Sequence, residues 1–155
     1  MDRQTQIETL LDHFNNPRNR NKMDNAHVVM PGGNPGCGDV VTIYLKVSDQ
    51  YDPTKVQEIS FVGSGCTISQ AATSILMEMV NADKPDLDQV LEMDYEAMVD
   101  VLGRDTVSSR PRCATLALGT LKAAVRKHKR NQLRAEHGLE AEASATDEDI
   151  EEFLV

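Results

Sequence analysis

Residues 56–80 read VQEISFVGSGCTISQAATSILMEMV, and the apolar period changes in the middle of that stretch. Up to Val62 the apolar positions roughly alternate, with Val56, Ile59 and Phe61 only approximately in phase, as in a strand with one buried face. Beyond Gly63-Ser64-Gly65, the residues Ile68, Ala71, Ala72, Ile75, Leu76, Met79 and Val80 recur at helical spacing and form one face that ends around Asn81. A strand therefore passes through three small residues into a helix, with Cys66 at the helix N-terminus.

Working outward, residues 40–47 (VVTIYLKV) and 26–31 (AHVVMP) are β-branched and read as two further strands. The connections PGGNPGCGD (31–39) and SDQYDPTK (48–55) carry the Gly, Pro, Asp and Asn that make turns. A three-stranded antiparallel sheet is the simplest topology. Before it, Ile7, Leu10, Leu11 and Phe14 mark an amphipathic helix over 5–14, stopped by Asn15-Asn16-Pro17. After it come short helical segments at 86–92 and 94–102, with Asp86 and Asp94 as N-caps and Gly103 as the stop. A last helix starts at Pro111, runs to about Ala135 on the stripe Ala114, Ala117, Leu118, Leu121, Ala124, Val125, and holds Cys113 in its first turn. The expected class is α+β, a single domain over 1–137 with helices packed against the sheet.

The net charge of −9 is uneven: residues 138–155 hold seven acids and no Lys or Arg, leaving 18 acids against 16 bases in residues 1–137. The terminal segment is expected to be a disordered acidic tail, having too little clustered apolar surface to offset its ordering entropy. The acidic balance is opposite to the basic footprint of a general nucleic-acid binder. No apolar run approaches the roughly 18 residues of a membrane-spanning helix, so no membrane partner is expected. The first residues, MDRQTQIETLLDHF, lack both an apolar signal core and an Arg-rich, acid-poor bias, which points to a cytoplasmic location or a mature organellar form. Three cysteines cannot all pair within the chain and read as reduced thiols.

Cys37 lies in Asn34-Pro35-Gly36-Cys37-Gly38-Asp39, with no apolar neighbour to bury it; Cys66 and Cys113 follow helix breakers. A helix N-terminus contributes about 0.3–1 kcal/mol, less than the roughly 1.4 kcal/mol of one pKa unit, so it does not ionise a thiol fully at neutral pH. A coordinated cation does. Three thiolates with Asp39 as fourth donor would fill a tetrahedral site for Zn²⁺ or for an iron of a cluster. Without paired C-x-x-C spacing, this stays one reading beside Cys66 and Cys113 as buried core residues. His13, His27 and His128 read as structural or surface residues, and none is assigned to a metal. Arg18 reads as a surface or helix-packing residue. The basic run Lys122, Arg126, Lys127, Lys129, Arg130, Arg134 reads as a solvated helix face, with docking of an acidic partner or masking by the tail as alternatives.

The motifs resemble the NifU-like iron–sulfur cluster assembly proteins: IscU, SufU and the N-terminal domain of NifU. Four segments carry the resemblance, over about residues 7–132. They are His13-Phe14 with Asn16-Pro17-Arg18-Asn19, the Cys37 loop 34–39, Gly63-Ser64-Gly65-Cys66-Thr67-Ile68-Ser69, and Cys113-Ala114-Thr115-Leu116-Ala117. The resemblance implies a scaffold on which a [2Fe–2S] cluster is assembled and handed to apo-proteins. Its partners would be a cysteine desulfurase, iron and electron donors, and the recipients. It implies Cys37, Asp39, Cys66 and Cys113 as ligands, Cys113 as sulfur acceptor and Asp39 as the residue governing cluster release. IscU-type members have a His before the third cysteine, near a Leu-Pro-Pro-Val-Lys segment; here Arg112 precedes Cys113, as in SufU. SufU proteins usually carry an insertion between the second and third cysteines, and this chain shows none. The alternative function is accordingly a zinc-bound sulfur acceptor, a zinc-dependent sulfurtransferase; a zinc-stabilised interaction module is a third. The scaffold reading implies an assembly protein and not an enzyme, the alternative a zinc-dependent sulfurtransferase, and a homo-oligomer bridged by the cluster is compatible with the first.

Overall fold

The computed structural model describes residues 2–34, 38–48 and 54–140. Three strands, β1 (Val28–Asn34), β2 (Asp39–Val47) and β3 (Val56–Ser64), form an antiparallel sheet in the order β1-β2-β3. Helix α1 (Arg3–Asn15) precedes them, and α2 (Thr67–Asp83), α3 (Leu87–Glu92), α4 (Tyr95–Leu102), α5 (Arg104–Val107) and α6 (Pro111–Glu136) follow. This is the expected α+β fold. The short α5 is an addition.

Burial explains the layering. Ile43 and Leu45 of β2, Ile59 and Phe61 of β3, and Val28 of β1 join Leu76 and Met77 of α2 and Leu118 and Leu121 of α6 in one core with no exposed surface to speak of. Each such aliphatic or aromatic side chain contributes roughly 1.5–3 kcal/mol on burial. The opposite face of β2 is covered too: Tyr44 packs with Met23, Ala26, Val29 and Val62 under the segment that follows α1. That segment also pairs with the sheet, since the Phe61 N–H donates to the Asn19 carbonyl at 3.0 Å.

Two departures from the expected strands have physical causes. Pro31, Gly32 and Gly33 extend β1 instead of opening a turn. Proline is tolerated there because β1 is an edge strand, and Gly32 is required because a Cβ would stand 2.1 Å from the Thr120 Oγ1 of α6. The imperfect phase of β3 is a register shift opposite Lys46 and Val47, which pair with Glu58 and Val56 and leave Gln57 as the extra residue.

His13 and Arg18 tie α1 to α2. Ser74 Oγ accepts the Arg18 N–H at 2.8 Å and lies 2.7 Å from His13 Nδ1. The Arg18 guanidinium bridges Asp12 at 2.6 Å and Glu78 at 3.3 Å. Both residues are structural, as the sequence suggested. The basic run of α6 is not a uniformly solvated face. Lys122 and Lys127 are buried, and Lys122 donates to the Met93 carbonyl and sits 4.2 Å from the centre of the Tyr95 ring. At the far end the Leu139 N–H reaches the Arg134 carbonyl at 2.7 Å and the Gly138 N–H the Ala135 carbonyl at 3.1 Å, a Schellman closure with Gly138 at φ +73°. Gly138–Glu140 thus close α6, and residues 141–155 of the acidic segment lie outside the described residues.

Candidate metal centre

Three elements converge at one end of the sheet. Asp39 is the first residue of β2, Cys66 is the N-cap of α2, and Cys113 is the third residue of α6. Each local position follows from sequence: the β1–β2 turn ends with Gly38 at φ +70°, Gly65 breaks β3 from α2, and Pro111 starts α6. Ligand atoms from Asp39, Cys66 and Cys113 all lie within 4.8 Å of one another, the one such group of three metal-binding side chains among the described residues. Asp39 and Cys113 are buried and Cys66 is half-buried. Cys37, the remaining expected ligand, lies outside the described residues.

The Asp39 carboxylate organises the cluster of side chains. Its Oδ1 accepts the Cys66 N–H at 2.7 Å, and its Oδ2 accepts from the Cys113 thiol at 2.9 Å and faces the Cys66 thiol at 3.8 Å. Burial pushes this carboxyl up, but the hydrogen bonds from Cys113, the Cys66 N–H, Ser69 and the Cys66 thiol outweigh it and hold it below the usual carboxylate value. Cys66 Sγ in turn accepts the Ser69 N–H at 3.4 Å, taking the capping role usually filled by an oxygen. Gly65 makes room: at φ +150° its Cβ position falls 2.2 Å from Asp39 Oδ1 and 2.9 Å from Ser69 Oγ.

The surroundings are electropositive. The N-termini of α2 and α6 both end at the thiols. Arg110, the N-cap of α6, faces the two cysteines; charge on Cys66, then hydrogen bonding with Cys113 and Cys66, raise its pKa above the ordinary arginine value. Arg112, the residue beside Cys113 in sequence, is exposed and makes no polar contact among the described residues. Arg110 is thus the arginine whose charge is coupled to the two cysteines. Ser69 stands in the quoted Gly63–Ser69 segment but has no role assigned from sequence; its place three residues after an N-cap position is the available signal.

Two thiols and a carboxylate are the donor set of a zinc or iron site, and such a cation would deprotonate the thiols. The set fits either metal, because soft sulfur accepts both and the single oxygen discriminates weakly. His27 and His128 stand apart from it, on the β1 approach and on α6, their rings edge-to-face at 6.1 Å between centres. No helix of the described residues is long and apolar enough to cross a membrane.

A family model described as NifU-like N terminal domain matches residues 5–135. The chain is 34% identical over 139 residues to the iron–sulfur cluster assembly scaffold protein IscU 1 of Archaeoglobus fulgidus, covering 87% of this chain and 86% of that protein. It is 27% identical over 137 residues to the zinc-dependent sulfurtransferase SufU of Bacillus subtilis, covering 77% and 88%. Among solved structures, an iron–sulfur cluster assembly scaffold for the SUF system from Fervidobacterium islandicum matches with a TM-score of 0.64 and 26% identity, over 76% of this chain and 94% of that one.

Proposed function

The chain belongs to the NifU-like N-terminal domain family of iron–sulfur cluster assembly scaffolds, and from that premise we propose that it assembles a [2Fe–2S] cluster and delivers it to apo-proteins. Cys37, Asp39, Cys66 and Cys113 hold the cargo; iron and desulfurase-derived sulfur are the substrates. One observation carries this reading: a single buried carboxylate stands within 2.9 Å of the Cys113 thiol and 3.8 Å of the Cys66 thiol. Iron arriving there meets two thiols already gathered around an oxygen donor, and the thiol protons leave to solvent as the metal binds. Asp39 is the hard, weak member of the set, which suits a product that must depart. Arg110 offsets the negative charge that builds up on the sulfurs.

Sulfur enters on Cys113, whose thiol is oriented by its hydrogen bond to Asp39 and whose charged form is stabilised by Arg110. Cys113 is only 1% exposed. Transfer to it therefore requires the first turn of α6 to open toward the donor.

A second reading, a zinc-bound sulfur acceptor that stimulates its desulfurase, is favoured by the same Arg110 contact and by the presence of Arg112 at the position before Cys113. Anaerobic reconstitution with a desulfurase, cysteine and ferrous iron separates the two. The scaffold yields near-equal iron and acid-labile sulfide that moves to an apo-ferredoxin. Tight zinc, no labile sulfide and faster desulfurase turnover would instead establish the sulfur acceptor.

A further inference from the structure

A second surface lies at the other end of α2. Two adjoining pockets, of about 410 and 210 Å³, open between the last turn of α2 and the α3–α4 segment, and both are lined by Met79 and Met93. Met98 and Val101 of α4 continue the apolar floor, with Val101 48% exposed. The rim is acidic: Asp83, Glu92 and Asp94 line it, all exposed and without an ion pair among the described residues. No Lys or Arg lines either pocket. Several acids elsewhere in the chain are matched, as Arg104 with Glu96 and Asp100 and Lys129 with Asp88. Asp94 also caps α4, its Oδ1 accepting the Glu96 N–H at 3.0 Å, but no cation of the described residues meets the three carboxylates.

We propose that this groove docks a basic amphipathic helix of a partner protein, apolar residues seated on the methionines and Lys or Arg side chains facing the acidic rim. Methionine is unbranched and polarizable, so a methionine floor accommodates differently shaped apolar anchors. Charge selects the occupant: the chain's own terminal segment, with seven acids and no base, is repelled. Position suits a tether. Met79 is thirteen residues along α2 from Cys66, which at 1.5 Å per residue puts the groove about 20 Å from the thiols. A partner held there leaves Asp39, Cys66 and Cys113 open to the donors and recipients of the cluster.

The test uses the full chain with methyl-labelled methionines, titrated by NMR with a synthetic Leu/Lys amphipathic helix and with its Leu/Glu counterpart. The proposal expects the Leu/Lys peptide to move the Met79, Met93 and Met98 signals, an effect that weakens with salt, while the Leu/Glu peptide does not. Asp83→Lys with Glu92→Lys, two exposed positions without an ion pair among the described residues, should weaken binding about tenfold and leave zinc content unchanged. Equal binding of the two peptides, or shifts confined to Met23 and Met30, overturns it. So does concentration-dependent self-association that the charge reversal abolishes, because a second copy would then be the occupant.

Discussion

Asp39 and Cys113 are 74 residues apart in the chain, and the carboxylate accepts a hydrogen bond from the thiol at 2.9 Å. The contact joins the first residue of β2 to the first turn of α6, so it ties the candidate centre to the packing of the whole domain. Asp39→Ala leaves the Cys66 N–H and the Cys113 thiol without their acceptor, at roughly 1–3 kcal/mol for unsatisfied buried groups. The metal-free variant should melt several degrees lower by calorimetry. Under the scaffold reading its cluster should nonetheless persist longer in air, and Asp39→Cys should hold it more firmly still, with slower transfer to apo-ferredoxin in both. Faster cluster loss at the wild-type transfer rate would remove Asp39 as the release element.

Gly65→Ala is expected to damage the centre without touching a ligand. The added methyl would stand 2.2 Å from Asp39 Oδ1, at a φ of +150° that L side chains rarely adopt. Backbone strain alone is of order 1–3 kcal/mol. Urea unfolding should show the loss of stability, and zinc titration a reduced affinity; a variant with normal zinc binding would mean that Gly65 does not shape the site.

Each of Cys37→Ser, Cys66→Ser and Cys113→Ser removes a thiolate donor and should sharply lower metal occupancy measured by mass spectrometry. The persulfide formed with a desulfurase and cysteine is expected on Cys113. Finding it on Cys66 or Cys37 alone would reassign the acceptor.

Three histidines set a pH dependence. Burial is the first cause that lowers the pKa values of His13, His27 and His128, supported by Arg18, Lys46, and His27 with Lys129 respectively. His128 Nε2 is buried without a hydrogen-bond partner among the described residues. A folded-state value below the unfolded value near 6.5 means that the unfolded chain binds the proton more readily, so stability is fully present above about pH 6.5 and falls as pH drops toward the folded values. The metal-free protein should therefore show a urea midpoint that declines below about pH 6.5, with a shallower slope in His128→Gln. An identical slope in that variant would place the proton uptake elsewhere.

Truncation after Glu140 should leave the thermal midpoint and the metal content unchanged, because the Schellman closure at Gly138 and Leu139 is retained. Cutting after His137 removes that closure and should lower the midpoint. A large loss on cutting after Glu140 would mean that residues 141–155 contribute to the packed domain.

The sequence by itself determined the elements and the chemistry available to them. The change of apolar period across Gly63-Ser64-Gly65 separates β3 from α2, Pro111 starts α6, and three loop-adjacent cysteines with Asp39 nominate a metal centre; these are local signals, carried by side-chain periodicity and by residues with restricted backbones. Only the tertiary structure decided the rest, because it depends on groups distant in sequence. Pro31-Gly32-Gly33 looks like a turn until Thr120 of α6 is seen to need the space above Gly32. Arg112 is the cysteine's neighbour in sequence, yet the helical turn brings Arg110 to both thiols. Lys122 and Lys127 belong to a basic run, and helix packing buries them. The methionine groove combines residues of α2, α3, α4 and the loop between the last two, none of which forms an apolar surface alone. Burial and long-range contact fix these features, and a linear pattern does not specify which faces the packing of helices and sheet will bring together.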